Sequence, residues 1–147
     1  MALNKTFVIR TLHESIWALR IPTHLKNNRV RGWYGEWLAR KHLRQKKFII
    51  LHKNWKSSLD ARREIDLIAR DKESLVFVEV RARSSNSLNS GFHSLNRKKR
   101  QAINHACRDF LRLNYPKFPH FRFDVIEVDL GKESDEIFHH ENVSLFP

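Results

Sequence analysis

The chain has 147 residues with 41% hydrophobic and 11% aromatic content, enough to bury one core and too apolar for wholesale disorder. Lysine and arginine number 28 against 16 aspartates and glutamates, a net charge of +12 that favours a polyanionic partner, above all nucleic acid. The single cysteine, Cys107, excludes an internal disulfide and a cysteine-rich zinc site.

Residues 1–30 read as an N-terminal extension and residues 31–147 as the main domain. Arg10, His13, Glu14 and Arg20 interrupt the opening stretch, so it lacks the uncharged apolar run of a signal peptide or membrane span. A cytoplasmic protein is the expectation, although an arginine-rich, acid-poor opening also fits an organelle transit peptide. Val8, Leu12, Ile16 and Leu19 recur at helical spacing before Pro22. The spacing predicts a short amphipathic helix that packs on the core or touches a partner protein or membrane surface.

From Trp33 to about Lys47 the apolar residues again recur with helical period, and Lys46 and Lys47 suit the negative end of a helix. Residues 48–55, 63–70 and 75–83 read as strands joined by turns too short for crossovers, which predicts an antiparallel meander. A polar stretch, 84–91, leads to a long helix from about Asn96 to Leu113, stopped by Asn114, Tyr115 and Pro116. Residues 121–130 form a last strand, returned to the same sheet by a right-handed crossover. The expected fold is thus α/β with a mixed sheet, in the order helix-strand-strand-strand-helix-strand. From Gly131 on the chain carries a net −3, so the basic charge, +15, belongs to the body.

Three carboxylates fall within this core. Glu36 shares a helix face with Ala39 and Leu43, which turns it inward, and an inward carboxylate needs a partner. Alternation puts Asp66 with Glu64 and Ile68 on one strand face, with Ile65, Leu67 and Ala69 on the other. On the next strand it puts Val76, Val78 and Val80 opposite Leu75, Phe77, Glu79, Arg81 and Arg83. Asp66 and Glu79 on adjacent strands can reach one small hard cation, and magnesium or manganese suits such oxygen ligands. Such a metal polarises a phosphoryl oxygen and acidifies a bound water, both useful in cutting a phosphodiester.

Leu95, Lys99, Ile103, Ala106, Phe110 and Leu113 trace one stripe of the long helix, so Lys99 leans toward the sheet. Arg97, Lys98 and Arg100 splay outward at that helix start, where they can grip phosphates. Each acid alone also fits an ordinary ion pair: Glu36 with Arg40, Glu64 with Arg62, and Asp66 or Glu79 with Arg81. Asp124 reads as structural, paired with an arginine. The nine histidines show no paired zinc-ligand spacing, and His139 and His140 lie in the acidic tail. Cys107 lacks an activating neighbour, and no glycine-rich phosphate loop is present.

The order Gly32-x-x-Gly35-Glu36, then Glu64 to Ala69, then Val76 to Arg83, a helix carrying Lys99, and Arg122 to Asp124 resembles the YraN family of PD-(D/E)XK nuclease-like proteins. The resemblance runs from Gly32 into the tail and includes Ala39, Leu43 and Asn54. It implies a restriction-endonuclease-like or Holliday-junction-resolvase-like core. Within it Asp66 and Glu79 are metal ligands, Glu36 is an accessory acid, and Arg81 stands at the position of the superfamily lysine, making Glu36, Asp66, Glu79 and Arg81 the expected catalytic set. Two positions depart from the pattern: Arg63 stands where glycine is usual, and Arg81 replaces lysine and cannot act as a general base. The expected activity is magnesium- or manganese-dependent hydrolysis of DNA, branched or single-stranded, with Arg83, Arg97, Lys98, Lys99 and Arg100 on the backbone. The competing reading is a catalytically silent nucleic-acid-binding or scaffold protein with the same fold.

Overall fold

The computed structural model describes residues 28–84, 95–114, 118–131 and 134–145. The amphipathic helix expected within residues 1–22 and most of the polar stretch 84–91 lie outside them, as do Tyr115 and Pro116. Helix α1 (Asn28–Gln45) starts earlier than its apolar period suggests, because Arg29, Arg31 and Gly32 mask the first turns, and it takes in residues assigned above to the extension. It ends on Lys47, whose φ of 67° lets Lys47 N–H reach Arg44 O and Phe48 N–H reach Leu43 O. That left-handed cap seats Phe48 in the same cluster as Leu43.

Strands β1 (Ile49–Lys56), β2 (Glu64–Asp71) and β3 (Ser74–Ser84) form the expected antiparallel meander. Helix α2 (Arg97–Asn114) carries the chain across to β4 (His120–Leu130), which pairs parallel with β3. Asn96 caps α2 by accepting Lys99 N–H at 2.9 Å. A further strand, β5 (Asp135–His140), pairs antiparallel with β4, giving a mixed sheet in the order β1-β2-β3-β4-β5. β5 shows no apolar alternation in the sequence, because its only apolar residues are Ile137 and Phe138 and a histidine fills the next inward position. His139 is therefore not beyond the core; its side chain is 4% exposed.

The two helices cover opposite faces of the sheet. Leu38, Ala39 and Leu43 of α1 pack on Leu67, Val76, Val78, Ile126 and Val128. Ile103, Ala106 and Phe110 of α2 pack on Ile65, Ile68, Leu75, Phe77 and Val125. Alternation on β3 holds throughout this packing. Gly35 lets α1 approach β3, since a side chain there would bring Cβ to 2.5 Å from Ala82 Cβ. The expected α2 stripe holds except at its end, where Leu113 is 70% exposed and Cys107 is buried instead. Arg63, at the position where the resemblance expects glycine, is accommodated by Asp109 of α2, which also accepts Ser57 Oγ–H. The β1–β2 turn is thereby tied to the second helix.

Candidate functional site

The site forms where β2 and β3 part. Their ladder ends at Leu67 opposite Val78, and beyond it Asp66 Oδ2 accepts Val80 N–H at 2.8 Å. A side chain takes the place of a backbone partner. This corrects the face assignment on β2: Ile65 packs with Ile68 on the α2 side, whereas Leu67 and Ala69 pack on the α1 side. The period of two fails around Asp66 because that residue is engaged between the strands. Opposite it, Asn54 has a φ of 47° and donates its amide to Glu36 Oε2 at 3.0 Å.

Glu79, 3% exposed, lies one residue before the amide that holds Asp66. Lys99 Nζ comes from α2 to 3.2 Å from Glu79 Oε1, and Arg81 Nη1 lies 3.7 Å from the same oxygen. Two cations from different elements thus share one carboxylate oxygen. Burial, and then the charge of Glu79, hold the Asp66 carboxyl well above the ordinary carboxylate range, with Glu36 adding to the effect. Burial also raises Glu79, against the opposing pull of Lys99 and Arg81.

The structure brings together Asp66, Glu79, Arg81 and Lys99, with Glu36 close enough to act on Asp66 electrostatically. Of the ion pairs weighed on sequence, Arg81 does reach Glu79, whereas Arg62 pairs with Asp60 and Glu64 with Lys56. Arg97 and Lys98 are exposed on the first turn of α2, and Arg100 Nε–H donates to Leu95 O. Arg83 faces β4 instead, 3.5 Å from Asp129 and 3.9 Å from Glu127. Asn54, which orients Glu36, was part of the family resemblance but not assigned a role; an asparagine inside a strand was its signal.

Among the described residues no three His, Cys, Asp or Glu side chains converge to hold a metal by themselves. Two hard carboxylates, both raised first of all by burial, nonetheless fit magnesium or manganese, which bind through one or two carboxylates and complete their shells with water and phosphate. The Cys107 thiol is buried and pushed up to about 12, which fits an inert core residue. Among the described residues no helix is long and apolar enough to cross a membrane.

The sequence profile of the uncharacterised protein family UPF0102 matches residues 35–128, which span the site from Gly35 to Val128. Similar proteins occur in several bacteria. A UPF0102 protein of Desulfitobacterium hafniense is 36% identical over 118 residues, 77% of this chain and 95% of the relative. One from Porphyromonas gingivalis is 37% identical over 114 residues, covering 76% and 82%. One from Dichelobacter nodosus is 38% identical over 127 residues, covering 85% and 98%.

Proposed function

From the premise that the chain belongs to the UPF0102 (YraN) family, whose core is PD-(D/E)XK nuclease-like, we propose that it is a divalent-metal-dependent endonuclease acting on DNA. The observation that carries this reading is the pair of crowded carboxylates, Asp66 and Glu79, met by Lys99 and Arg81. Asp66 and Glu79 would hold magnesium or manganese, which when bound polarises a phosphoryl oxygen and acidifies a coordinated water.

The remaining work falls to the chain. Val80 N–H fixes the Asp66 carboxyl, so little reordering accompanies ligand binding. The Arg81 guanidinium, beside Glu79, is placed to meet the charge that develops on phosphate. Lys99 supplies an ammonium from α2 beside Glu79, which compensates for the absence of a lysine at position 81. Arg97, Lys98 and Arg100 hold the backbone on either side through contacts that weaken with salt. A binding protein without cleavage is the second reading, and Arg81 in the lysine position is what favours it.

Flap, junction, single-stranded and duplex DNA incubated with and without manganese test the proposal. Manganese-dependent cutting is expected, abolished in Glu79→Gln. Arg81→Ala is expected to lower turnover more than DNA affinity, as for a group acting on the transition state. Tight binding of all four forms with no cutting by the wild type establishes the second reading.

A further inference from the structure

On the α2 side of the sheet, beside the candidate site, a cavity of about 340 Å³ opens between α2 and the segment after β5. Its floor is aromatic: Phe77, Phe121 and Phe123, with Phe121 set edge-on to Phe77 at 6.3 Å between ring centres. One wall is the flank of α2 bearing Asn104 and Arg108. None of the described residues lining it is acidic. Phe121 is 59% exposed, a large aromatic surface left to solvent on a strand whose other members are mostly buried.

Two features identify the occupant. The first is charge: α2 carries Arg97, Lys98, Lys99, Arg100, Arg108 and Arg112 against one acid, Asp109, which is taken up by Ser57 and Arg63. The second is continuity. Phe77 is two residues before Glu79 on the same strand face, about 7 Å away along the strand. Arg108 follows Lys99 by nine residues, about 14 Å along the helix axis. Arg108 also lies half a turn round the helix from Lys99, so a polyanion held at Lys99 reaches Arg108 by crossing the flank of α2 that bears Asn104, with the aromatic floor beside it.

Resting on the nucleic-acid reading above, we propose that this groove seats an unstacked base of a single-stranded segment, the base against Phe121 and the backbone against Arg108. Aromatic rings and cations alternating along a groove bind single strands because every base presents a π-face. The site makes the protein prefer substrates with a single-stranded segment next to the bond at Glu79.

Affinity for a labelled oligothymidylate, the same strand with abasic residues, and a blunt duplex tests this in calcium, so that binding is read without cutting. Phe121→Ala is expected to weaken the oligothymidylate about tenfold and to leave the abasic strand and the duplex unchanged, with Phe121→Trp restoring the affinity. Arg108→Ala is expected to reduce the salt slope by about one. Equal loss on all three probes, or none on any, overturns the proposal. So does a lower thermal midpoint of Phe121→Ala with unaltered affinity, which marks the groove as filled by protein. A wild type that binds no DNA at all overturns the nucleic-acid reading itself, whereas binding that is insensitive to Phe121 overturns the groove alone.

Discussion

Two acid clusters in this sheet are built on opposite principles. On the α1 side Asp124 is fully buried, and every group around it donates: Arg122 at 3.0 Å, His139 at 3.0 Å and Asn142 N–H at 2.9 Å. Burial pushes its carboxyl up, but the bonds from His139, Asn142 and Arg122 prevail and hold it below the ordinary range. Where β2 and β3 part, Asp66 has one backbone donor and an acid for a neighbour, and burial with Glu79 holds it above that range. A complete hydrogen-bond shell marks a structural anion. An incomplete one in the same fold is what the proposed metal site calls for.

Asp124→Ala removes the acceptor shared by His139, Asn142 N–H and Arg122 Nε–H, with Arg122 keeping Asp71 at 3.0 Å, and is expected to cost about 3 kcal/mol, read from urea unfolding. Magnesium or manganese is expected to stabilise the wild type by about 2.7 kcal/mol at a hundred times its dissociation constant, a rise in thermal midpoint lost in Asp66→Ala and Glu79→Ala. A midpoint indifferent to both metals in the wild type removes the proposed metal site.

Without metal, Asp66→Asn is expected to stabilise the protein by about 1 kcal/mol at neutral pH, since the amide keeps an acceptor for Val80 N–H and removes the repulsion from Glu79. The sign follows from the raised carboxyl. The folded state holds that proton more tightly than the unfolded chain, so stability declines as pH rises from 3.8 to the higher folded value and remains lower above it. The Asp66→Asn substitution should erase that decline; a destabilised variant at neutral pH contradicts it.

The smallest expected effect lies at the edge of the Asp124 cluster. His42 Nε2 stands 3.4 Å from His139 Nδ1, and burial, then the charges of His139 and Lys46, lower its pKa against the opposing pull of Glu141. A histidine lowered in the folded state takes up its proton more readily when unfolded, so stability is complete above pH 6.5 and declines as pH falls through it. His42→Gln is expected to flatten that decline in urea midpoints measured on either side of pH 6.5.

Much of this was legible in the chain because the pattern and the packing agree. Val76 and Val78 against Phe77 and Glu79 is plain alternation, and β3 is buried on both faces in that register. Lys99 is legible because it continues a helical stripe whose inner members face the sheet. The rest was hidden where polar contacts replace apolar ones. Ile65 changes face because Asp66 bonds to Val80, a long-range contact with no local signature. β5 escapes detection since His139 does what an apolar residue does elsewhere, and its partner Asp124 is 15 residues away.

A carbon-13 titration of the carboxyl groups of Asp66 and Asp124 in one sample, without metal and then with magnesium, bears on the contrast most directly. Without metal Asp66 should titrate above the ordinary carboxylate range and Asp124 below it, and magnesium should bring Asp66 down while leaving Asp124 unmoved. Two carboxyls that titrate alike, or an Asp66 that does not respond to magnesium, would contradict the assignment of one acid to the fold and the other to the chemistry.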